Sequence, residues 1–509
     1  MPSTSGRIPN KLTVSPAAQL QPPAPRDLVA LCVCGADARD VDLCGAKGAT
    51  LDLVRGIVGA GEFRGEEGDS LLVRAALTGG ARRLLLVGMG AREDDGDEAN
   101  NARHAAAAAA RRANEAKARR LFFIMPTCRD AARVVRAVAE GAHLGSYSND
   151  FYQKKDEGDE TSLAEFVIIA GEIEEGARED LNAEIERGRV VAESANWARA
   201  LADEPGGSLP PREFARRAAS MAAEFGLTVE TLDAGEVRAR GMGGLWGVGQ
   251  GSENPPALIV LRYEPGGSGA DDEELLAFVG KGITFDTGGI SIKPAKGMEE
   301  MKADMAGGAA VLGALRAVAQ LKPPRRVVGV VPAAENMPSG KSLKPGDVVR
   351  TLAGYTIEVV DTDAEGRLVL VDGIAYAKSL GATRIVDLAT LTGSIIVALG
   401  DHRTGLFSND DSWAREVTRA AARAGEPVWR MPVSDDYKKK IESDIADFKN
   451  YGGRPDATGA ALLLSKFAAP LPWVHLDIAA TAWLEEPAPH SPAGATGTGV
   501  RTLVELVCG

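Results

Sequence analysis

The sequence predicts an α/β protein in two parts: a smaller N-terminal α/β domain, and a larger C-terminal α/β domain whose mostly parallel central sheet is flanked by helices. Three observations predict it. Short apolar runs alternate with helical stretches along most of the chain, the pattern of strands joined through crossover helices. The length of 509 residues exceeds the roughly 250–300 that one core supports. A long polar-faced helical stretch, closed by the glycines and prolines of DEPGGSLPP, separates the halves.

The first 26 residues, MPSTSGRIPNKLTVSPAAQLQPPAPR, hold no acid and are rich in proline and serine. A transit peptide also lacks acids and would send the chain to an organelle, but prolines oppose the amphipathic helix such peptides form. The expectation over 1–26 is a disordered tail. Residues 27–180 are the expected N-terminal domain. There RDLVALCVCG and RRLLLVGMG read as buried strands, and alanine-rich NARHAAAAAARRANEAKARR as a helix. VGMGARE is similar to the start of a dinucleotide loop, yet it lacks the third glycine, and the acidic EDDGDE behind it would repel a pyrophosphate. EIEEGAREDLNAEIERGRVVAESANWARALA supplies a linking helix, set at 181–207, and 208–509 form the second domain. In it PALIVLRY, LLAFVG, RRVVGVVPA, YTIEVV and TRIVDLA read as strands. AGGAAVLGALRAVAQL and RLVLVDGIAYAKSL read as helices.

Bulk composition excludes several classes. Lys+Arg 58 against Asp+Glu 71 gives a net charge of −13, which disfavours a nucleic-acid surface because phosphate binding needs basic clusters. The five cysteines (Cys32, Cys34, Cys44, Cys128, Cys508) never stand as C-x-x-C and read as reduced thiols. No apolar run approaches the ~20 residues of a membrane span.

The chemistry collects at two charged turns. In parallel sheets ligands sit beyond the carboxyl ends of the strands. KGITFDTGG follows LLAFVG and DTDAEGR follows YTIEVV, so both turns are expected at one edge of one sheet. With ISIKPAKGMEEMKADM they supply the carboxylates Asp286, Asp304, Asp363 and Glu365 and the cations Lys281, Lys293 and Arg367. Asp363, Glu365 and Arg367 alternate with small residues, and in an extended segment would point the same way. Taken alone, each turn is an ordinary solvated loop. Together, four converging carboxylates would repel, and some would take up protons. Two divalent cations would balance them, and oxygen-rich ligation suits Zn, Mn, Mg or Co. Such a pair, about 3.5–4 Å apart, polarises a carbonyl and ionises a bridging water.

At these residues the sequence resembles the leucyl aminopeptidases, two-metal exopeptidases of the cytosol. VGKGITFDTGGISIKPAKGMEEMKADM, DTDAEGRLVLVDG, AENMPSGKSLKPGDV, VDLATLTGSIIVALG and HLDIAATAW carry the likeness, which spans Ser194 to Leu506. The resemblance implies that Lys281, Asp286, Asp304, Asp363 and Glu365 ligate the metals, with Asp286 and Glu365 bridging and Lys281 a neutral amine. It implies Lys293 as the electrophile that stabilises the oxyanion, and Arg367 as the holder of a bicarbonate that acts as base. Met301, Ala479 and Ala482 fall where the family forms the pocket for the first side chain. Backbone atoms of Thr390, Leu391 and Gly393 fall where it holds the peptide. The likeness further implies hydrolysis of large apolar first residues from short peptides with a free N-terminus. A cytoplasmic homohexamer, two stacked trimers, is the implied assembly.

Two departures stand out. The family's usual Asn before T-D-A-E-G-R is Asp361 here, and its Asn before the E-P pair is Asp203. ENMPSGKS is similar to the tail of a Walker loop, but Glu335 occupies the place of the required first glycine. None of the histidines (His104, His143, His402, His475, His490) begins an H-E-x-x-H pattern, so each is expected to be structural. Two competing functions are a DNA-binding protein on the same scaffold and a two-metal phosphoesterase. The acidic charge opposes the first; the lysine ligand and apolar pocket oppose the second.

Overall fold

Apolar runs form the strands, and two large sheets result, with two small ones beside them. The computed structural model describes residues 11–16, 24, 26–34, 49–74, 83–90, 98–126, 128–154, 163–170, 177–266 and 274–509. By internal contacts the chain divides into 1–196 with 485–494, and 197–484 with 495–509. The acidic segment 93–97 and most of 1–26 lie outside the described residues.

The first unit carries a six-stranded sheet built from β1 (Lys11–Pro16), β2 (Leu28–Val33), β3 (Ser70–Arg74), β4 (Arg83–Gly88), β5 (Arg120–Ile124) and β6 (Glu165–Ala170). Its spatial order is β1-β6-β5-β2-β4-β3, parallel throughout except at β3–β4. The tail expected over 1–26 is therefore not wholly without structure: β1 pairs with β6, Leu12 opposite Phe166 and Val14 opposite Ile168. Alternation in KLTVSP, with Val14 buried, is the signal for it.

The alanine-rich helix runs Glu98–Glu115, and residues to Arg120 that read as helix instead turn into β5. It crosses the helix Ala131–Gly145 at close range. A Cβ on Gly141 would lie 2.1 Å from the Arg103 carbonyl oxygen, and one on Gly145 2.1 Å from that of Ala107. Small side chains on both helices permit that approach, which accounts for the alanine run. The linking helix is Ala177–Asp203, earlier at both ends than its expected bounds, and a short 3-10 turn follows at Gly206–Ser208.

The second unit's nine-stranded sheet comprises β7 (Thr228–Leu232), β8 (Ala257–Tyr263), β9 (Leu275–Gly280), β10 (Gly282–Asp286), β11 (Arg326–Asn336), β14 (Arg384–Ala389), β15 (Thr404–Ser408), β16 (Val428–Arg430) and β18 (Trp473–Asp477). A small separate sheet holds β12 (Val348–Arg350), β13 (Thr356–Glu358) and β17 (Phe448–Lys449). The centre of the large sheet, β18-β14-β9-β11, is parallel, with antiparallel pairs towards the edges. β9 is buried at every position, as expected of a parallel strand covered on both faces. The helices Ala306–Leu321 and Gly366–Ser379 pack against β9 and β11.

Two expectations about the charged turns change. GITFD is not a turn: it is β10, parallel to β11. DTDAEGR does not leave the large sheet, because YTIEVV contributes β13 to the small one, so the second turn arrives from a different layer. Among the described residues no helix is long and apolar enough to cross a membrane.

Candidate metal centre

Asp286 is the last residue of β10, facing Asn336 at the end of β11. Its Oδ1 accepts from Asn336 Nδ2 at 2.8 Å and from the Gly288 N–H at 2.9 Å, while Oδ2 lies 2.8 Å from Lys293 Nζ. Gly288 takes φ +83°, and a Cβ there would press within 2.8 Å of Asp363 Oδ1. Both demands require glycine. Lys293 also pairs with Asp363.

Lys281 stands at the junction of β9 and β10. Its N–H donates to the Leu388 carbonyl at 3.0 Å, and its carbonyl accepts from the Gly308 N–H at 2.7 Å, which fixes the lysine between a strand and a helix. The buried Nζ donates to Asp304 Oδ1 at 2.8 Å and to the Thr390 carbonyl at 3.0 Å, and lies 2.8 Å from Glu365 Oε1. Gly366 leaves space for it: a Cβ there would meet Lys281 Cε at 2.7 Å and Nζ at 2.9 Å. Asp304 follows the 3-10 turn Met298–Ala303, and its Oδ1 also accepts from Thr390 Oγ1 at 2.6 Å.

Asp363 and Glu365 do not lie in an extended segment. Asp363 sits in a turn, and Glu365 is the N-cap of the helix Gly366–Ser379, with φ −75° and ψ −33°. The turn nevertheless brings them to Asp286: one oxygen from each of the three carboxylates lies within 4.8 Å of the others. Arg367, already inside the helix, points elsewhere. Its Nη1 donates to the Asn450 carbonyl at 2.7 Å, and its Nη2 lies 3.0 Å from Asp456 Oδ1. Its Nε is buried without a partner.

Four carboxylates thus share two lysines, and the electrostatics show the deficit. Burial, reinforced by Asp286, pushes Glu365 up to about 8. Burial raises Asp304 to about 6 despite Lys281, and raises Asp363 as well. Burial opposes the Lys281 ammonium, but Asp304, Glu365 and Asp286 outweigh it and hold the group above its ordinary value. Lys293 is likewise held up, burial being outweighed by Asp286 and Glu365. In cation-free protein Lys281 is therefore charged, and the neutral amine implied by the resemblance requires cations to displace its proton. The residues fit that role. Glu365 Oε2 is buried and accepts no hydrogen bond, while the buried Glu365 Oε1 and Asp304 Oδ2 share the single Lys281 ammonium, at 2.8 and 2.7 Å. Buried carboxylate oxygens with too few donors, beside two further carboxylates, form a donor set for hard or borderline divalent ions.

The other expected residues take these places. Met301 is half-buried on the Met298–Ala303 turn, and its carbonyl accepts the Asp304 N–H at 3.3 Å. Ala479 follows β18, and buried Ala482 lines a small cavity with Ala198, Ala202, Ala306, Ala495 and Gly497. Gly393, exposed, begins the helix Gly393–Leu399. The Leu391 N–H is already engaged by Asp477 Oδ1 at 3.2 Å, so only its carbonyl is available to a peptide.

Several contributors were not expected. Asn336 orients Asp286; Asn450 holds Arg367 and, through Nδ2, the Asp361 carbonyl at 2.6 Å. The signal for Asn336 is a polar residue ending an apolar strand; Asn450 has none, because its partners lie 83 or more residues away. Both departures keep a use an asparagine oxygen also serves. Asp361 Oδ1 accepts the Asp363 N–H at 2.9 Å, and Asp203 Oδ1 accepts the Ala495 N–H at 3.0 Å. His475 is wholly buried, paired with Asp387 at 2.6 Å within the sheet.

Known proteins share this arrangement of chain. The model of the cytosol aminopeptidase family, catalytic domain, matches residues 196–504, and that of the family's N-terminal domain matches 48–156. A probable cytosol aminopeptidase of Solibacter usitatus is 46% identical over 448 residues, 88% of this chain and 91% of the relative. One of Koribacter versatilis is 50% identical over 374 residues, 73% of this chain and 72% of the relative. Among solved structures, a tomato leucine aminopeptidase variant superposes with a TM-score of 0.85 at 31% identity, covering 98% of this chain and 97% of that one. The bottromycin maturation enzyme BotP in complex with Mn gives 0.81 at 36% identity, covering 95% and 99%.

Proposed function

The chain belongs to the cytosol aminopeptidase family of metal-dependent aminopeptidases, and from that premise we propose that it removes leucine and other large apolar first residues from short peptides. The observation that supports this reading is the cluster of buried Asp286, Asp304 and Glu365 with exposed Asp363, four carboxylates sharing Lys281 and Lys293, in which the buried Glu365 Oε2 accepts no hydrogen bond.

These five side chains would hold two divalent cations, zinc or manganese before magnesium or cobalt. When bound, the cations would polarise the scissile carbonyl and make water a nucleophile at neutral pH. Lys293 lies at the rim of the cluster, tethered to Asp286 and Asp363, and its ammonium would stabilise the oxyanion. Asp304 accepts the free amine of the substrate; a blocked terminus offers no positive charge there, which limits the enzyme to the chain end. Arg367, with its unpartnered Nε, is the proposed seat of a bicarbonate that would supply the base. The first side chain would rest against Met301, Ala479 and Ala482, and the peptide along the backbone of Thr390, Leu391 and Gly393. We further propose a cytoplasmic homohexamer, which sedimentation would test; a monomer would contradict it.

Chelation tests the reading. Exhaustive removal of cations is expected to lower turnover of leucyl anilide by more than about 100-fold, and manganese or zinc to restore it. Full activity in stripped protein, or faster turnover of phenyl phosphate than of the anilide, would contradict it.

The cation affinity should also depend on pH. Glu365 at about 8 and Asp304 at about 6 keep protons in acid, and every ligand must shed its proton to bind. Manganese titrated calorimetrically into stripped protein should therefore bind more tightly at about pH 8 than at about pH 6, with proton release. Equal affinity at both would show that these carboxyls are not ligands.

A further inference from the structure

Asp477 ends β18 and is wholly buried, paired in register with Ala389 of β14. A buried carboxylate is costly unless hydrogen bonds offset its desolvation. All three of the bonds it accepts come from the two segments assigned above to the substrate. Oδ1 accepts the Leu391 N–H at 3.2 Å and the Ala479 N–H at 3.3 Å, and Oδ2 accepts from Thr392 Oγ1 at 2.7 Å. The other side of the same loop is held by the metal-ligand cluster, through Thr390 O on Lys281 Nζ and Thr390 Oγ1 on Asp304 Oδ1. The loop from Thr390 to Thr392 is thus stretched between the cluster and one carboxylate below it.

We propose that Asp477 is a positioning residue for peptide binding, fixing the Thr390–Gly393 backbone and the start of the Ala479–Ala482 segment in one arrangement that receives the substrate's first residue. The inference rests on the aminopeptidase reading above. With the Leu391 N–H turned down onto Asp477, its carbonyl is left for the substrate. Without the carboxylate, that peptide unit is free to rotate, and the pocket segment loses its link to the loop. Such contacts act alike on bound substrate and transition state, so their loss raises KM more than it lowers kcat.

The test uses the full-length, manganese-loaded enzyme and leucyl anilide. Asp477→Ala is expected to raise KM at least about tenfold with kcat within about threefold, and Asp477→Asn to bring KM back within about threefold of wild type. The amide suffices because its oxygen accepts both N–H groups, and the Thr392 hydroxyl reverses to accept from its nitrogen. Hydrogen exchange at the Leu391 amide should quicken in the alanine variant and not in the asparagine variant. An unchanged KM in folded Asp477→Ala, or an asparagine variant no better than alanine, overturns the proposal. Should Asp477→Ala fail to fold, Thr392→Val decides: a KM raised a few-fold supports the proposal, and an unchanged one overturns it. Wild-type enzyme inactive on leucyl anilide would sink the aminopeptidase reading itself, whereas active wild type with an insensitive KM sinks only this inference.

Discussion

Replacing Lys293 with alanine is expected to lower kcat on leucyl anilide by about 10²–10³-fold, equivalent to about 3–4 kcal/mol, while KM changes little. The reason lies in where the ammonium sits. It is anchored by Asp286 Oδ2 at 2.8 Å and by Asp363, at the edge of the cluster and not in its interior. Those carboxylates keep it charged. A fixed positive donor beside the reacting carbonyl helps most when charge develops on oxygen, which is a transition-state effect. Cation content should stay at the wild-type level, because Lys293 touches the ligands without being one. A variant that keeps its cations and turns over within threefold of wild type would refute the role.

Asp286→Ala should fail differently. Asp286 accepts hydrogen bonds from Asn336 and Gly288, pairs with Lys293, and shares a 4.8 Å cluster with Asp363 and Glu365. Its removal takes a charge and two oxygens from the set. Losing an outer-shell partner of a metal commonly costs roughly 10–100-fold in affinity, so losing a ligand should cost more than that. Cation content and activity are expected to fall together, with the fold retained by circular dichroism. Normal cation content by metal analysis would remove Asp286 from the ligand set. The two substitutions therefore separate: one leaves the ions and loses chemistry, the other loses the ions.

Much of the second unit was legible because burial leaves a plain mark. LLAFVG and TRIVDLA are strands covered on both faces, and AGGAAVLGALRAVAQL is a helix with the expected bounds. The proposed ligand residues were legible as acids and lysines of two charged turns expected to converge, and the resemblance implied all five; the layers that bring those turns together were not legible. GITFD hides a strand behind two glycine-rich flanks. β13 is three residues long, too short to show a period, and its membership in a second sheet depends on partners such as β17 about 90 residues on. The extended reading of Asp363, Glu365 and Arg367 failed because the helix begins at Gly366, turning Arg367 towards Asn450 and Asp456. Asp477 was passed over since a lone aspartate in HLDIAATAW carries no local signal. Its meaning comes from Leu391 and Thr392, brought beside it by parallel strands 85 residues apart.

The central claim is that Lys281, Asp286, Asp304, Asp363 and Glu365 grip two cations. Anomalous diffraction from crystals grown with manganese tests it most directly. Two peaks per chain are expected, both within bonding reach of Asp286 and Glu365, one also reached by Lys281 and Asp304 and the other by Asp363. No peak among these side chains, or Lys281 still paired to Asp304 with manganese bound elsewhere, would contradict the account.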